Sequence, residues 1–352
     1  MADSLKQFMS TMGTGPKSSE DLSYSEARRA MNQMLSESLE PVSFGAFVVA
    51  ERWKGQSTDE LAGFLDHIRE EHVQFFEPNR DFYLDVAGRF DGKVNSVNTD
   101  LPASVLAAAA GVPIFTHSSR SVPTQEGTTF LDVLEELGFP VTPSPGASER
   151  ALDEVGFSYS AQSVYAPDLE DLKPFRRELG VRCFLNTIES MVNPANAPIH
   201  VGSFYHLTFA SKVTETFARL ESGSPESVTM IQGIEGQTEL RSGDCLIADW
   251  KDGSLDDHEY DSREFGLDFD RSDLDEIGPS PSRSADLMMR LLRAEQVPEP
   301  YEESVIWNTA ARLLSGRETD SLRDGIELAR KTLRSDAAIT LWNDVEEVFK
   351  GG

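Results

Sequence analysis

The stretch DVAGRFDGKVN, residues 85–95, follows the apolar run FYL and precedes an alanine-rich segment. Many enzymes place a phosphate-cradling turn at such a position, between a strand and a helix. The stretch holds only two glycines, Gly88 and Gly92, although backbone amides that approach a phosphate closely need glycine. It is therefore a working phosphate loop, a decayed one, or an ordinary strand-to-helix turn.

Short apolar runs alternate with amphipathic helices along the chain around this stretch. Candidate strands are FYLDVA, VPIFT, VTMIQG and DCLIADW, and candidate helices cover residues 100–111, 128–138, 204–221, 284–294, 303–315 and 321–332. This alternation predicts an α/β fold with a mostly parallel central sheet. Three earlier stretches, residues 21–39, 40–55 and 57–72, show helical spacing of apolar residues and predict a small helical unit.

The charge of the chain limits its partners. Its 352 residues include 60 Asp and Glu against 32 Lys and Arg, a net charge of −28. Such a surface repels nucleic acid and anionic membranes unless basic residues cluster locally, and it is typical of a high-salt cytoplasm, where salt screens the repulsion. No apolar run approaches the ~18 residues that span a bilayer, and the N terminus lacks a secretory pattern. We predict a cytoplasmic, halophilic protein without a membrane partner.

Four separated segments carry a family pattern in one order. They are GRFDGKVNSVNTDL (88–101), AAAAGVPIFTHSSRSVPTQEG (107–127), PFRRELGVRCFLNTIESMVNPA (174–195) and QGIEGQTEL (232–240). Together they resemble the anthranilate phosphoribosyltransferase family, which shares its fold with the pyrimidine nucleoside phosphorylases. The resemblance covers nearly the whole chain.

The resemblance implies a small N-terminal helical domain packed against a larger α/β domain, with the ligand cleft between them. Residues 1–75 would form the helical domain, onto which the segment 172–198 packs. Residues 80–171 and 199–352 would form the α/β domain. The family also implies a homodimer held together through the helical domains.

The chain departs from the family at the positions that bind diphosphate and metal. The phosphate-loop positions are Gly88, Arg89, Asp91 and Gly92. Arg89 and Asp91, like Phe90 between them, stand where the family has small residues, so we expect a weakened diphosphate cradle. For magnesium, the family's serine falls on Asp100 and its Asp-Glu pair on Thr238 and Glu239. The resemblance thus implies Asp100 and Glu239 as Mg²⁺ ligands beside the substrate phosphate.

Five further residues are candidates for substrate binding: Arg176, His117, Arg120, Ser119 and Asn98. Arg176 falls where the family binds its aromatic acid, and Ser119 replaces an anthranilate-contacting asparagine. Arg120, Arg176, Arg177 and Arg182 form the best anion-binding set, because guanidinium groups bind phosphate and carboxylate bidentately. The alternative is an arginine-rich interdomain surface neutralised by acids such as Glu178 and Glu189. His117 has a structural role as its alternative.

These departures favour a divergent paralogue that binds a phosphorylated ribose, a nucleotide or single-stranded nucleic acid. The alternative is an active anthranilate phosphoribosyltransferase of tryptophan biosynthesis, in which Mg²⁺ and N–H donors stabilise the departing diphosphate. A third hypothesis is a purely structural or regulatory dimer with an empty cleft. Only if the protein is an active transferase would arginines that position the nucleophile be essential for its activity.

Overall fold

The computed structural model describes residues 5–13, 15 and 18–351. Its helices are α1 Leu5–Met12, α2 Tyr24–Met34, α3 Pro41–Lys54, α4 Thr58–Glu71, α5 Asp100–Ala109, α6 Phe130–Glu136, α7 Pro145–Arg150, α8 Gln162–Tyr165, α9 Pro167–Glu170, α10 Lys173–Leu179, α11 Leu185–Met191, α12 Leu207–Phe217, α13 Arg271–Ile277, α14 Pro281–Leu292, α15 Glu299–Ser315, α16 Leu322–Leu333 and α17 Ala337–Lys350. Its strands are β1 Leu84–Ala87, β2 Ile114–Ser118, β3 Phe157–Ala161, β4 Ile199–Phe204, β5 Ser227–Gln232, β6 Asp244–Lys251 and β7 Ser254–Asp261.

The seven strands form one mostly parallel sheet, which confirms the predicted fold class. Their order is β3-β2-β1-β4-β5-β6-β7. The pairs from β3 to β5 are parallel, whereas β6 and β7 add an antiparallel hairpin at one edge. The chain therefore brings the carboxyl ends of β1, β2, β4 and β5 to the same edge, where α/β proteins bind ligands.

Helices α1 to α4 form the N-terminal bundle, as the helical spacing predicts. The Ser57 hydroxyl accepts from the Glu60 amide and the Ser57 amide donates to the Glu60 carboxylate, the reciprocal capping box that stabilises the start of α4. Helix α10 packs on α3 and α11 packs on α4. Phe184, just before α11, stacks on Phe64 of α4 with ring centroids 4.6 Å apart. The segment 172–198 thus contacts the bundle, and the limits of the two domains stay a prediction.

The α/β core lies on the face of the sheet opposite the N-terminal bundle. Helix α5 is alanine-rich and almost wholly buried, and it packs against α15, α16 and α17. Small side chains also let α15 and α16 approach each other closely: a Cβ added to Gly325 of α16 would lie 3.0 Å from Ala310 of α15. Asp100, at the first turn of α5, is consequently held inside the protein rather than at its surface.

Within the described part of the chain, no helix is both long enough and apolar enough to cross a membrane. The cytoplasmic location and the salt requirement stay predictions.

Candidate ligand-binding cleft

A cleft of about 560 Å³ opens at the carboxyl ends of β1 and β4. The α/β domain lines it with the loop after β1 and with residues 202–206 at the end of β4, and the segment 172–198 lines it with Arg182 and residues of α11. Of the predicted site residues, Gly88, Arg89 and Asp91 line the cleft. Clefts between packed units are a usual place for small-molecule ligands.

The charged side chains of the loop neutralise one another. Arg89 donates from Nε to Asp91 Oδ1 at 2.5 Å, and it also donates to Gln125. Arg182 Nη1 lies 2.9 Å from Asp91 Oδ2. Asp91 is thus shared by two guanidinium groups, so it does not repel an anion as a free carboxylate would. Burial lowers the pKa of Arg182, and the neighbouring Arg89 acts in the same direction.

Several backbone amides at the end of the loop and just after it are also engaged. The amide of Gly92 donates to Arg89 O and that of Lys93 to Thr128 O, at 3.2 and 2.7 Å. The amides of Val94 and Ser96 donate to the Glu235 carboxylate, at 3.3 and 3.2 Å. Burial raises the pKa of Glu235, but these hydrogen bonds and Lys93 outweigh it, and the pKa lies below its usual value. A carboxylate of the chain itself therefore occupies the amides that follow the loop.

Gly92 is required by the packing of the loop. It has φ +68°, and an added Cβ would lie 2.2 Å from the backbone carbon of Gly127. A Cβ on Gly127 would in turn lie 2.4 Å from Lys93 O. Gly88 is small for another reason, since its Cβ would lie 2.7 Å from the Phe130 ring. The two glycines thus serve close contacts within the protein, which explains why they stand in this loop.

The predicted metal ligands Asp100 and Glu239 lie in a buried ion-pair cluster. Asp100 pairs with Arg312 and accepts from Thr238 Oγ1 at 2.9 Å. Glu239 pairs with Lys93 and accepts from the Thr99 amide at 2.7 Å. Burial is the main reason that the pKa of Asp100 is raised to about 6, with Arg312 acting against it.

This arrangement does not fit Mg²⁺, because both carboxylates are already neutralised by cations and neither lines the cleft. In residues 5–13, 15 and 18–351, no group of three or more His, Cys, Asp or Glu could hold a metal ion. Ligation by Asp100 and Glu239 stays a prediction that would need Lys93 and Arg312 to move.

His117 lies beneath the cleft floor rather than in its lining. The side chain is fully buried at the end of β2, with Nε2 3.1 Å from Asp85 and Nδ1 2.9 Å from the Tyr165 hydroxyl. Asp85 also contacts His200 Nδ1 at 2.6 Å. Burial raises the pKa of Asp85, yet the two histidines outweigh it and hold that pKa at about 2. These contacts favour the structural role that was the alternative for His117, and its substrate-binding role stays a prediction.

The other candidates have local partners as well. Ser119 donates to Glu170, and Arg120 donates to Asp132 and Glu135 of α6 at 2.7 and 2.8 Å. Asn98 Oδ1 accepts from the Leu101 amide at 3.1 Å and so caps the start of α5. None of these three lines the cleft.

Arg176 forms a buried, bidentate ion pair with Glu189. The two guanidinium nitrogens donate to the two carboxylate oxygens at 2.6 and 3.1 Å. Burial opposes the charge of Arg176, but Glu189 outweighs it and the pKa lies above its usual value. Neutralisation by Glu189, the alternative weighed from the sequence, is what the structure shows.

Several cleft residues were not among the predicted site residues. Arg182 belongs to the arginine set singled out from the sequence, whereas Arg271 at the start of α13 carries no motif. The cleft wall also includes Tyr205, which is 67% exposed, and His206, whose ring lies edge-on to it at 4.9 Å. The pair follows β4, a strand that the sequence analysis did not predict, so its position was not visible there.

The helical bundle, the α/β sheet and the cleft together are typical of a two-domain protein with a cleft where the two parts meet. The helical bundle domain of a glycosyl transferase family matches residues 6–71, and the a/b domain of that family matches residues 83–339. This chain belongs to that glycosyl transferase family, in its anthranilate phosphoribosyltransferase branch.

The similar proteins are anthranilate phosphoribosyltransferases. The one from Methanopyrus kandleri is 29% identical over 93% of this chain and 96% of its own length. The solved structure of the one from Thermus thermophilus has a TM-score of 0.81 and 27% identity, covering 98% of this chain and 99% of that chain. A Saccharomyces cerevisiae structure in complex with PRPP and Mg has a TM-score of 0.83, and at 16% identity, over 99% of this chain and 98% of that one, it shows the fold alone.

Proposed function

We propose that this protein is a divergent anthranilate phosphoribosyltransferase paralogue that binds a phosphorylated ribose or a nucleotide without Mg²⁺. One observation carries the proposal: the chain's own side chains neutralise the metal and diphosphate positions. Lys93 and Arg312 neutralise the predicted metal ligands, and Glu235 accepts the amides that follow the loop. A magnesium–diphosphate ligand would have to displace several buried charge pairs at once, and breaking one costs roughly 3–5 kcal/mol.

The cleft itself favours a phosphate group. Arg89, Arg182 and Arg271 line it together with the two carboxylates that they pair with, Asp91 and Glu235. The Arg182 and Arg271 side chains are 46% and 51% exposed, and Arg89 keeps Asp91 paired when Arg182 turns to a phosphate. A guanidinium binds phosphate in a forked geometry. Exposed Tyr205 and His206 would stack on a ring beside it. A long phosphodiester backbone is disfavoured by the net charge of −28.

The second candidate is an active anthranilate phosphoribosyltransferase. Similarity to such enzymes over more than 90% of the chain favours it. In that case the carboxylates Asp100 and Glu239 would exchange Arg312 and Lys93 for Mg²⁺. Phosphoribosyl pyrophosphate, which the yeast protein binds together with Mg, would then be the donor.

Calorimetric titration with ribose 5-phosphate in high salt, with Mg²⁺ or with EDTA, distinguishes the divergent paralogue from the active transferase. We expect the affinity for ribose 5-phosphate to be equal in both buffers. Arg182→Gln should weaken binding by about tenfold or more, since a charged hydrogen bond contributes about 1.5–3 kcal/mol. Arg177→Gln is the matched control, because Arg177 pairs with Glu126 and lies outside the cleft lining.

Three results would contradict the proposal: no binding of ribose 5-phosphate or of a nucleoside monophosphate, Mg²⁺-dependent binding of phosphoribosyl pyrophosphate, or formation of phosphoribosyl anthranilate. A single-stranded oligonucleotide is the comparison arm. If the oligonucleotide bound more tightly than the nucleoside monophosphate, the ligand would be nucleic acid instead.

The homodimer implied by the resemblance is part of the same proposal. Helix α3 carries an apolar stripe on the outside of the bundle, formed by Val42, Val49 and Trp53, which are 85%, 44% and 82% exposed. Their spacing of seven and four residues puts them on one face of the helix. A stripe of this kind on a highly charged protein favours a second copy as its partner.

Trp53→Glu should convert the dimer into a monomer, because the introduced carboxylate would be buried against apolar side chains. Light scattering after size exclusion measures the mass directly. Trp53→Phe keeps an apolar ring and should stay dimeric. A wild-type mass of one chain would remove the dimer from the proposal.

A further inference from the structure

Glu189 is a buried carboxylate that the proposed phosphate site does not use. Its side chain is fully buried on α11, and both oxygens accept from the Arg176 guanidinium. Oε1 also accepts from Gln162 Nε2 at 3.1 Å. Arg176 is itself 1% exposed. The guanidinium therefore holds a carboxylate in the forked geometry with which it would hold a carboxylate of a ligand.

The pair lies directly behind the cleft. Asn186, Thr187 and Ser190 of α11 line the cleft on the same two turns that carry Glu189. Arg182, which also lines it, follows α10, the helix that carries Arg176. Arg176 also lies close enough to interact electrostatically with Asp91 and Arg182 of the cleft lining, so we expect that removing the Glu189 side chain would open space toward the Arg176 guanidinium.

A carboxylate ligand cannot bind Arg176 while this pair exists. It would have to displace Glu189 and leave a second carboxylate buried next to it, with only Gln162 as a donor. Burying a charge without a partner costs a large free energy. Replacing the Glu189 carboxylate by another carboxylate at Arg176 gains little, so it cannot offset that cost. The charge of Arg176 is already neutralised by Glu189 of the same chain.

We propose that Glu189 is a specificity-determining residue, a built-in carboxylate that occupies Arg176 and excludes carboxylate-bearing aromatic rings such as benzoate and anthranilate from the cleft. The inference deepens the proposed function and rests on it for the ligand class: the ligand carries a phosphate at the arginines of the cleft and no carboxylate at Arg176. The exclusion itself depends only on the Arg176–Glu189 pair.

The test is a gain of binding. Wild-type protein titrated with benzoate and with anthranilate should show no binding, and the Glu189→Ala variant should bind both. The variant should bind benzoate at least about tenfold more tightly than neutral benzamide, which corresponds to about 1.4 kcal/mol. Glu189→Gln is the matched control, because the amide fills the same space and should leave the site closed to carboxylates.

Two results would overturn the inference. The first is Arg176-dependent binding of benzoate or anthranilate by the wild type, shown by its loss in Arg176→Met. The second is a folded Glu189→Ala variant that does not prefer benzoate to benzamide. If that variant does not fold alone, its refolding yield with and without benzoate is the readout, and a yield independent of benzoate overturns the proposal.

The same proteins titrated with ribose 5-phosphate separate this inference from the proposed function. Loss of carboxylate exclusion with intact phosphate binding would remove only the role of Glu189. Absence of phosphate binding, with benzoate bound by Glu189→Ala alone, would remove only the proposed ligand.

Discussion

We expect the Lys93→Met variant to lose about 3–5 kcal/mol of its free energy of unfolding, because the substitution leaves the Glu239 carboxylate buried without its cation. Lys93 and Glu239 side chains are 1% and 0% exposed, so water cannot replace the ammonium group. Lys93 also donates to Val97 O at 2.7 Å, and that bond would be lost. Denaturant unfolding monitored by circular dichroism measures the change.

Two controls make the Lys93 result specific. Lys251→Met removes an exposed lysine of β6 and should change stability by less than about 0.5 kcal/mol. The double variant Lys93→Met with Glu239→Leu should recover much of the loss, since two apolar side chains can replace a buried ion pair. If Lys93→Met alone cost less than about 1 kcal/mol, Glu239 would have another source of neutralisation, and the argument against the metal would fail.

The Lys93→Met variant also tests the second candidate function. If Glu239 and Asp100 can act as metal ligands once the ammonium group is gone, millimolar Mg²⁺ should raise the unfolding temperature of this variant and leave that of the wild type unchanged. We expect no effect on either protein, because Arg312 still neutralises Asp100.

The Gly92→Ala substitution should cost about 2–5 kcal/mol of stability and abolish ribose 5-phosphate binding. Two effects add: a residue with a Cβ at φ +68° is strained by about 1–2 kcal/mol, and overpacking typically costs 1–3 kcal/mol. The added Cβ would lie 2.2 Å from Gly127 backbone, so the loop has to move away from the bridge between Lys93 and Thr128. Thermal unfolding and the calorimetric titration measure the two consequences.

Gly253→Ala is the matched control for the strain alone. Gly253 has φ +83° at the β6–β7 turn, and nothing lies within 4 Å of its added Cβ. We expect a loss of about 1–2 kcal/mol and unchanged ligand binding. If Gly92→Ala and Gly253→Ala lost equal stability, the close packing of Gly92 against Gly127 would not be what holds the loop in place.

Local patterns predicted most of the secondary structure near the cleft. The stretches 40–55 and 57–72 were predicted as helices, and α3 and α4 match them within a few residues, with Gly55 ending α3 and Ser57 capping α4. Strand β7, SLDDHEYD, was missed because it is mostly exposed and carries almost no apolar side chains. Strand β4 was missed because IHVGSF has polar and glycine positions within a buried strand. In both cases the sheet supplies the pairing that the composition does not indicate.

The site was less visible in the sequence than the fold. The position of the loop after β1 and the loss of its small residues could be read directly. The partners that decide its chemistry are remote in the chain: Arg312 lies 212 residues from Asp100, and Glu239 lies 146 residues from Lys93. Each is an ordinary charged residue in its own segment, so no local pattern distinguishes it from a solvated side chain.

The sequence by itself determined the fold class, the family and the place of the phosphate loop, because these follow from the period of apolar residues and from motifs in a fixed order. Only the tertiary structure decided whether the motif residues are free to bind. Charges on separate segments neutralise each other when folding brings them into a buried space, where an unpaired charge is too costly to remain. In this protein that requirement joins Asp100 to Arg312 and Arg176 to Glu189.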